Sequence, residues 1–215
     1  MQTIILIRHG ESEWNLEGRV QGYLDSPLSN LGVEQAHRIG ERLKRESIDH
    51  VVSSTASRAI DTCRIALGSH MHVETSDALR EINLGIWEGR RSTDLKLEYP
   101  REVEMWYRMP SRVKIDRGES LRAFRLRVTR ELDRIRAEQA DKTFAVFTHG
   151  GVICTYLTSL LGMKLDDLWR FKIRNGSITT IIFPKEQPRI ALLGDTHHLD
   201  GCERIDSQAA TRFFP

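Results

Sequence analysis

The sequence predicts an α/β fold in which helices cover both faces of a largely parallel sheet. Short apolar runs alternate with stretches of helical periodicity along the chain, and this alternation is typical of βαβ units. The 215 residues, 40% of them hydrophobic, are enough for one sizeable core. Because no internal repeat, low-complexity run or linker interrupts the pattern, we expect a single domain over residues 1–215.

The first part of the chain is predicted to hold three strands and two helices. Apolar runs predict strands at 3–7, 50–54 and 72–76, and helical spacing predicts helices at 32–47 and 57–67. Ser29 or Asn30 suits the cap of the first helix, and Gly68 suits the end of the second. The two helices therefore alternate with the three strands.

The second part begins with a segment, about 85–118, that is rich in Trp, Arg and Pro. We expect it to be an irregular or helical insertion that lies over the sheet. A long helix is predicted at 120–140, with one apolar stripe formed by Leu121, Phe124, Val128, Leu132 and Ile135. A strand that ends on a histidine and glycines follows, then a helix at 152–162 closed by Gly162, and finally a pair of strands at 177–183 and 189–194.

Composition excludes few partners but favours a cytoplasmic protein. The net charge is only +2, and no apolar run approaches the length needed to cross a membrane. Three widely spaced cysteines lack metal-ligand spacing and cannot all pair, which favours a reduced compartment. The arginines of the long helix alternate with acidic residues and an apolar stripe, so a solvated face is expected rather than nucleic-acid binding.

Three predicted strands end in polar groups that do not suit a core. The first ends on Arg8-His9-Gly10, the second runs into Ser53-Ser54 with Arg58 soon after, and a later one ends on Thr148-His149-Gly150-Gly151. Because the carboxyl ends of parallel strands meet at one edge of a sheet, these groups are expected to converge. Arginine forks and helix N-termini both suit phosphate oxygens, so we predict a phosphate pocket there.

A histidine in such a pocket can act as well as bind. A neutral imidazole nitrogen of His9 is a competent nucleophile toward phosphorus, and Glu81 is one of many acids that could protonate a leaving oxygen. One alternative is an ion pair between Arg8 and a core carboxylate. Another is a metal site formed by His9, His149 and Glu81, which nearby arginines disfavour because they repel a divalent cation.

The sequence also resembles a known family. The segments "RHGESEWN", "GYLDSPLSNLG", "SSTASRAIDT", "LREINLGIWEG" and "THGG" occur in the order found in the histidine phosphatase superfamily, also called the phosphoglycerate mutase-like family. The resemblance extends from residue 3 to about 183. It implies a three-layer α/β/α sandwich with a mostly parallel central sheet, an insertion over the active site, and catalysis that needs no metal and no cofactor.

The resemblance also implies roles for individual residues. His9 matches the residue that is phosphorylated in the intermediate, and Glu81 matches the proton donor. The phosphate pocket and the adjoining substrate segment are implied to contain Arg8, Asn15, Gln21, Gly22, Arg58, His149 and the amide of Gly150. Trp106, Tyr107 and His197 are expected either to form walls of the substrate pocket or to lie in the core or in a surface turn.

Two departures separate the chain from the mutases of the family. Cofactor-dependent mutases typically carry a tyrosine three positions after the acid, where this chain has Leu84. They also carry paired arginines after a tryptophan in the insertion, where this chain has "MWYRMPSR" with one arginine after Trp106-Tyr107. The resemblance is therefore to the phosphatase branch, since the groups that hold a second phosphate and a carboxylate are missing.

These observations predict a phosphomonoester hydrolase that works through a phosphohistidine intermediate. The substrate is expected to be a small phosphorylated metabolite, with broad-specificity, phosphoserine and α-ribazole phosphatases equally similar. The alternatives are a cofactor-dependent phosphoglycerate mutase and, from another class, a non-catalytic phosphate-binding or interaction module. Either a monomer or a homodimer is compatible with the sequence, with no membrane or nucleic-acid partner expected.

Overall fold

A computed structural model describes residues 1–68, 71–184 and 187–202 of the chain. One sheet contains β1 (Gln2–Arg8), β2 (His50–Ser54), β3 (Glu74–Ser76), β4 (Thr143–Thr148), β5 (Ile178–Phe183) and β6 (Arg189–Asp195). The α-helices of the described residues are α1 (Glu13–Leu16), α2 (Asn30–Leu43), α3 (Ser57–Leu67), α4 (Ser92–Glu98), α5 (Pro100–Arg108), α6 (Leu121–Glu138) and α7 (Gly150–Leu160).

The strand order is β3-β2-β4-β1-β5-β6, and the first four strands of this order are parallel. β5 is antiparallel to β1, and β6 is antiparallel to β5. The predicted mostly parallel sheet is therefore confirmed. Pairing of Arg8 with Thr148 and of Ser54 with Ser76 brings the carboxyl ends of the four parallel strands to the same edge.

Helices cover both faces of the sheet, which confirms the three-layer architecture. Alternate side chains of β1 enter two different clusters of buried residues, as the two-residue period of a strand requires. Ile4 and Leu6 pack with the apolar stripe of α6 and with α7. Ile5 and Ile7 pack on the opposite face with Ile39 of α2 and with α3. All five residues of the predicted α6 stripe are buried.

The insertion contains two of the helices, α4 and α5, as the expectation of an irregular or helical segment allows. α5 begins with Pro100, a residue that favours the first turn of a helix. Trp106 of α5 is 2% exposed, and its ring contacts those of Trp87 and Trp169 at centroid distances of 6.2 and 5.6 Å. The aromatic residues of this segment thus extend the main core on the α6 and α7 side of the sheet.

Ser29, one of the two caps that the sequence predicted for α2, accepts a hydrogen bond from the backbone N–H of Gly32 at 3.1 Å. The helix therefore starts at Asn30, two residues earlier than predicted. Cys63, Cys154 and Cys202 are buried free thiols. In the parts of the chain that the structure describes, no helix is both long and apolar enough to cross a bilayer. The C-terminal stretch after Cys202 lies outside the described residues.

Candidate active site

The polar ends of the parallel strands meet at one edge of the sheet, as predicted. The backbone N–H of His9, just after β1, donates to the carbonyl of Thr148 at the end of β4 (3.0 Å). The imidazole of His149 is 2.9 Å from the hydroxyl of Ser54 at the end of β2, measured at Nε2. The His9 and His149 rings lie edge to face with centroids 5.2 Å apart. Both imidazoles are buried at this edge.

The local geometry of His9 determines which ring nitrogen is reactive. Nδ1 lies 2.7 Å from the carbonyl oxygen of Gly10, and a carbonyl can only accept. Nδ1 therefore carries the hydrogen, and the lone pair of the neutral ring is on Nε2. Burial, together with the nearby Arg58 and Arg8 guanidinium groups, lowers the pKa of His9 well below its ordinary value. The ring is accordingly neutral at physiological pH, with a nucleophilic Nε2.

Arg58 is a buried cation held from one side. It is 1% exposed, and Nη1 donates to the carbonyl of Leu24 (3.1 Å) and to Asp25 (2.9 Å), while Nη2 donates to the carbonyl of Gly22 (2.9 Å). Burial lowers the pKa of Arg58, and Asp25 and Glu81 oppose that shift. Nε has no partner among the described residues. The Nε–H and the second Nη2–H form a parallel fork, the geometry that suits two oxygens of a phosphoryl group.

His149 presents a second buried nitrogen without a partner. Its Nε2 contacts Ser54, but within the described ranges its buried Nδ1 has no hydrogen-bond partner. Burial and the charges of Arg58 and Arg8 lower the pKa of His149 well below its ordinary value. Leaving buried polar nitrogens unsatisfied costs about 1–3 kcal/mol each. An anion with several acceptor oxygens would remove that cost at Arg58 and His149 together.

Glu81 lies at the amino end of α7, beside His149. Its carboxylate is 5% exposed and accepts hydrogen bonds from the backbone N–H groups of Ile82 at Oε1 and of Gly151 at Oε2, both at 2.9 Å. A side chain at position 151 would overlap this carboxylate, because a Cβ there would lie 2.2 Å from Oε1. The second glycine of "THGG" therefore leaves room for the predicted acid.

The remaining predicted pocket residues lie close to this centre. Arg8 donates through Nη1 to the carbonyl of Ile173 (2.5 Å), and a Cβ at Gly150 would lie 3.2 Å from the same Nη1. The Oδ1 of Asn15 accepts hydrogen bonds from Asn175 and from the backbone N–H and hydroxyl of Ser12. Because these groups face Oδ1, the Nδ2 of Asn15 points away from them and is oriented to donate.

Gln21 and Gly22 have different positions. Gln21 is 6% exposed, and its amide donates to the Ser12 hydroxyl at 2.7 Å. Gly22 has φ of +59° and acts through its carbonyl, which accepts from Arg58. A side chain at position 22 would overlap the carboxylate of Glu88, which lies 2.0 Å from a Cβ built there. Gly22 therefore belongs to the loop that orients Arg58.

The three predicted wall residues do not share one location. Trp106 takes the core position, one of the two that the sequence left open, and its indole packs against Trp87 and Trp169. Tyr107 is partly buried against the core, and burial raises the pKa of its hydroxyl to about 12. His197 is exposed in a 3-10 turn after β6, whereas the neighbouring His198 contacts the carbonyl of Gly176 through Nε2 (3.0 Å).

Sequence reasoning missed two groups near the site. Asp25, the counter-ion of Arg58, also accepts from the backbone N–H of Ser57 (2.7 Å). Arg80 precedes the acid, donates to the carbonyl of Tyr23 (2.5 Å) and has a buried Nε without a partner in the described part of the chain. The only sequence signal for either residue was its position inside a family-like segment, "GYLDSPLSNLG" or "LREINLGIWEG".

The fold and the site together define a class of protein. A parallel sheet edge that carries two buried neutral imidazoles, arginine forks and a carboxylate is suited to a phosphate ester. Over residues 1–68, 71–184 and 187–202, no group of three His, Cys, Asp or Glu side chains is arranged to hold a metal ion. The class is that of α/β proteins that act on phosphoryl groups.

Comparison with known proteins gives the family. Residues 4–196 match the model of the histidine phosphatase superfamily (branch 1), and the chain belongs to this superfamily. Phosphoserine phosphatase 1 of Hydrogenobacter thermophilus is 34% identical over 93% of this chain and 95% of its own. A probable phosphoglycerate mutase, GpmB, of Yersinia pestis is 31% identical over 93% of this chain and 96% of its own.

A solved structure agrees with this membership. The α-ribazole phosphatase from Shigella flexneri superposes with a TM-score of 0.81 at 29% identity, covering 90% of this chain and 96% of its own. Phosphatases and mutase-like proteins thus both occur among the relatives, so the division between hydrolysis and transfer depends on the site itself.

Proposed function

We propose that the protein is a phosphomonoester hydrolase that forms a phosphohistidine on His9. The observation that carries the proposal is a neutral, buried His9 beside two buried nitrogens without partners among the described residues, Nε of Arg58 and Nδ1 of His149. A phosphoryl group would supply acceptor oxygens to both nitrogens and to Arg8. The same arrangement would place phosphorus next to a nucleophile.

The reaction follows in two balanced steps. In the first, the Nε2 lone pair of His9 forms a bond to phosphorus while the bond from phosphorus to the ester oxygen breaks, and Glu81 gives that oxygen a proton. In the second, water attacks phosphorus, Glu81 takes a proton from the water, and the phosphorus–nitrogen bond breaks to release inorganic phosphate. The arginine forks stabilise the charge on the phosphoryl oxygens in both transition states.

Two residues favour hydrolysis over the mutase reaction. Leu84, where the resemblance expects a tyrosine in a mutase, is fully buried in the core and offers no polar group to a substrate. Arg108, the single arginine after Trp106-Tyr107, is 74% exposed and pairs with Glu104 one helical turn away (2.9 Å). Neither residue is placed to bind the second phosphate of a bisphosphate, so water is the acceptor of the phosphoryl group that the site favours.

Metal independence belongs to the proposal. Arg8 and Arg58 supply positive charge where a metal would otherwise stabilise phosphoryl oxygens, and their charge repels a divalent cation. Phosphoserine and α-ribazole phosphate are the substrates that the relatives' names suggest. A broad-specificity enzyme that takes several small phosphomonoesters fits the same site chemistry.

The proposal is tested by measuring phosphate release in excess EDTA from p-nitrophenyl phosphate, phosphoserine, 3-phosphoglycerate and α-ribazole phosphate. We expect hydrolysis of at least one ester that EDTA leaves unchanged and that the Arg58→Met variant loses. Arg130→Met is the matched control, because Arg130 is exposed on α6. No release, with conversion of 3-phosphoglycerate to its 2-isomer after priming with a bisphosphate, would instead identify a mutase.

A further inference from the structure

Arg127, on α6, does not lie on a solvated face as the sequence predicted. Its side chain is 18% exposed, and its guanidinium reaches the segment that carries Arg80 and Glu81. We propose that Arg127, fixed by Glu119, is a positioning residue that holds this segment so that Glu81 can exchange a proton with the ester oxygen. This inference rests on the proposed function, because Glu81 is the acid of that mechanism.

Hydrogen bonds engage all five N–H groups of the Arg127 guanidinium. Nε donates to Oε1 of Glu119 (3.0 Å), and Nη2 donates to Oε2 (2.7 Å), which makes a bidentate ion pair. Nη1 donates to the carbonyls of Ala78 and Arg80, both at 2.9 Å, and Nη2 also donates to the carbonyl of Glu81 (3.3 Å). A lysine has neither the planar fork nor enough donors to reproduce this pattern.

The bonded carbonyls are the reason for assigning Arg127 to the acid. Three of its five hydrogen bonds go to backbone carbonyls of the turn that ends at Glu81. The side-chain carboxylate of Glu81 is held separately by the N–H groups of Ile82 and Gly151. Without the guanidinium, the backbone before Glu81 would lose its anchor on α6. The carboxylate would then shift relative to His9, although its own contacts involve different atoms.

The same cluster reaches the loop that holds Arg58. The guanidinium carbons of Arg80 and Arg127 lie 5.0 and 5.8 Å from the centroid of the Tyr23 ring, and Arg80 donates to the Tyr23 carbonyl. Tyr23 adjoins Gly22 and Leu24, whose carbonyls accept from Arg58. Arg127 therefore lies where the acid segment and the Arg58 loop meet.

Other arginines of α6 show what a purely structural role looks like. Arg134 is 40% exposed and pairs with Glu74, Glu131 and Glu138. Arg136 pairs with Asp133 on its own helix (3.2 Å). These pairs contact side chains at the surface, whereas Arg127 bonds the backbone that delivers the proposed acid.

The test compares Arg127→Met and Arg127→Lys with the control Arg130→Met on two esters. An alkyl ester such as phosphoserine needs a proton on its leaving oxygen, whereas the leaving group of p-nitrophenyl phosphate departs as a stable phenolate without one. We expect Arg127→Met to lower kcat about tenfold or more on the alkyl ester and about threefold or less on the aryl ester, with little change in KM. Arg127→Lys should recover only part of the loss, and Arg130→Met should match the wild type on both esters.

Amide hydrogen exchange provides a readout that needs no turnover. In Arg127→Met the N–H groups of Ile82 and Gly151, which bond Glu81, should exchange faster, while those of β2 and β4 stay protected. Equal kcat losses on the two esters, or unchanged exchange at Ile82 and Gly151, would overturn the positioning role. If Arg127→Met does not fold, Glu119→Gln poses the same test, because it removes the charge that fixes the guanidinium. A wild type that hydrolyses no ester would refute the proposed function alone, and the exchange data would still decide this inference.

Discussion

Replacing Gly151 with alanine tests the geometry of the proposed acid most sharply. A Cβ at position 151 would lie 2.2 Å from Oε1 of Glu81, 3.0 Å from its carboxyl carbon and 3.1 Å from Oε2. These are the atoms at the end of a flexible side chain, so the carboxylate moves and the backbone need not. The carboxylate then leaves the N–H groups of Gly151 and Ile82, which now hold both of its oxygens.

The size of the effect can be derived from that displacement. General acid catalysis contributes about 10²–10⁴ in rate, or about 3–6 kcal/mol at about 1.4 kcal/mol per tenfold. A displaced acid that keeps part of its effect should lower kcat on an alkyl phosphate about 10- to 100-fold. Two weakened hydrogen bonds cost about 1–3 kcal/mol of stability, which alanine offsets by about 1 kcal/mol through its helix propensity.

The assay is steady-state hydrolysis of phosphoserine and p-nitrophenyl phosphate by the same Gly151→Ala preparation, with thermal denaturation alongside. The aryl ester is the internal control, because its leaving group needs little protonation, and its kcat should change by about threefold or less. We expect the melting temperature to fall by no more than about 8 °C. Equal losses on both esters, or an unchanged kcat on the alkyl ester, would refute the placement of Glu81 as the acid.

Three further predictions concern charge, pH and the core. Asp25→Asn removes the counter-charge of buried Arg58 while keeping an acceptor oxygen. We expect substrate binding to weaken by about 1 kcal/mol, so that KM rises about fivefold. An unchanged KM in steady-state assays would argue against Arg58 as a substrate-binding residue. Burial lowers the pKa of His9 and of His149, so at mildly acidic pH these rings bind protons mainly in the unfolded chain. The free energy of unfolding should therefore fall as pH drops below about 6.5, by up to about 1.4 kcal/mol per pH unit for each ring. His9→Gln should flatten that dependence in urea titrations, and an identical slope would contradict the lowered pKa. Trp106→Ala should lower the free energy of unfolding by about 3–5 kcal/mol with KM unchanged; raised KM at full stability would return Trp106 to the pocket wall.

The architecture was predictable because its signals are local. Alternation of apolar strands with amphipathic helices indicates a parallel sheet, and the stripe on α6 follows directly from helical spacing. Convergence of Arg8-His9 with His149 was equally predictable, because parallel strands present their carboxyl ends at one edge. Resemblance to a family then selected Glu81 among many acids, a choice that spacing alone does not make.

The parts that were missed depend on contacts between distant segments. Arg127 and the carbonyl of Glu81 are 46 positions apart, and nothing in the charge pattern of α6 separates Arg127 from Arg134. Asp25 reaches Arg58 across 33 positions for the same reason. Trp106 was ambiguous because an aromatic residue in an insertion suits a pocket wall and the main core equally well, and only packing against Trp87 and Trp169 decides between them.

The most direct test of the central proposal is to look for phosphate on His9. The enzyme is mixed with a hydrolysable ester, quenched in alkali, where phosphohistidine survives, and digested for mass spectrometry. We expect a phosphoryl group on the peptide that contains His9, formed at least as fast as steady-state turnover and absent from His9→Ala, which should have no activity. Sustained hydrolysis by His9→Ala, or wild-type turnover that never labels His9, would contradict the phosphohistidine mechanism.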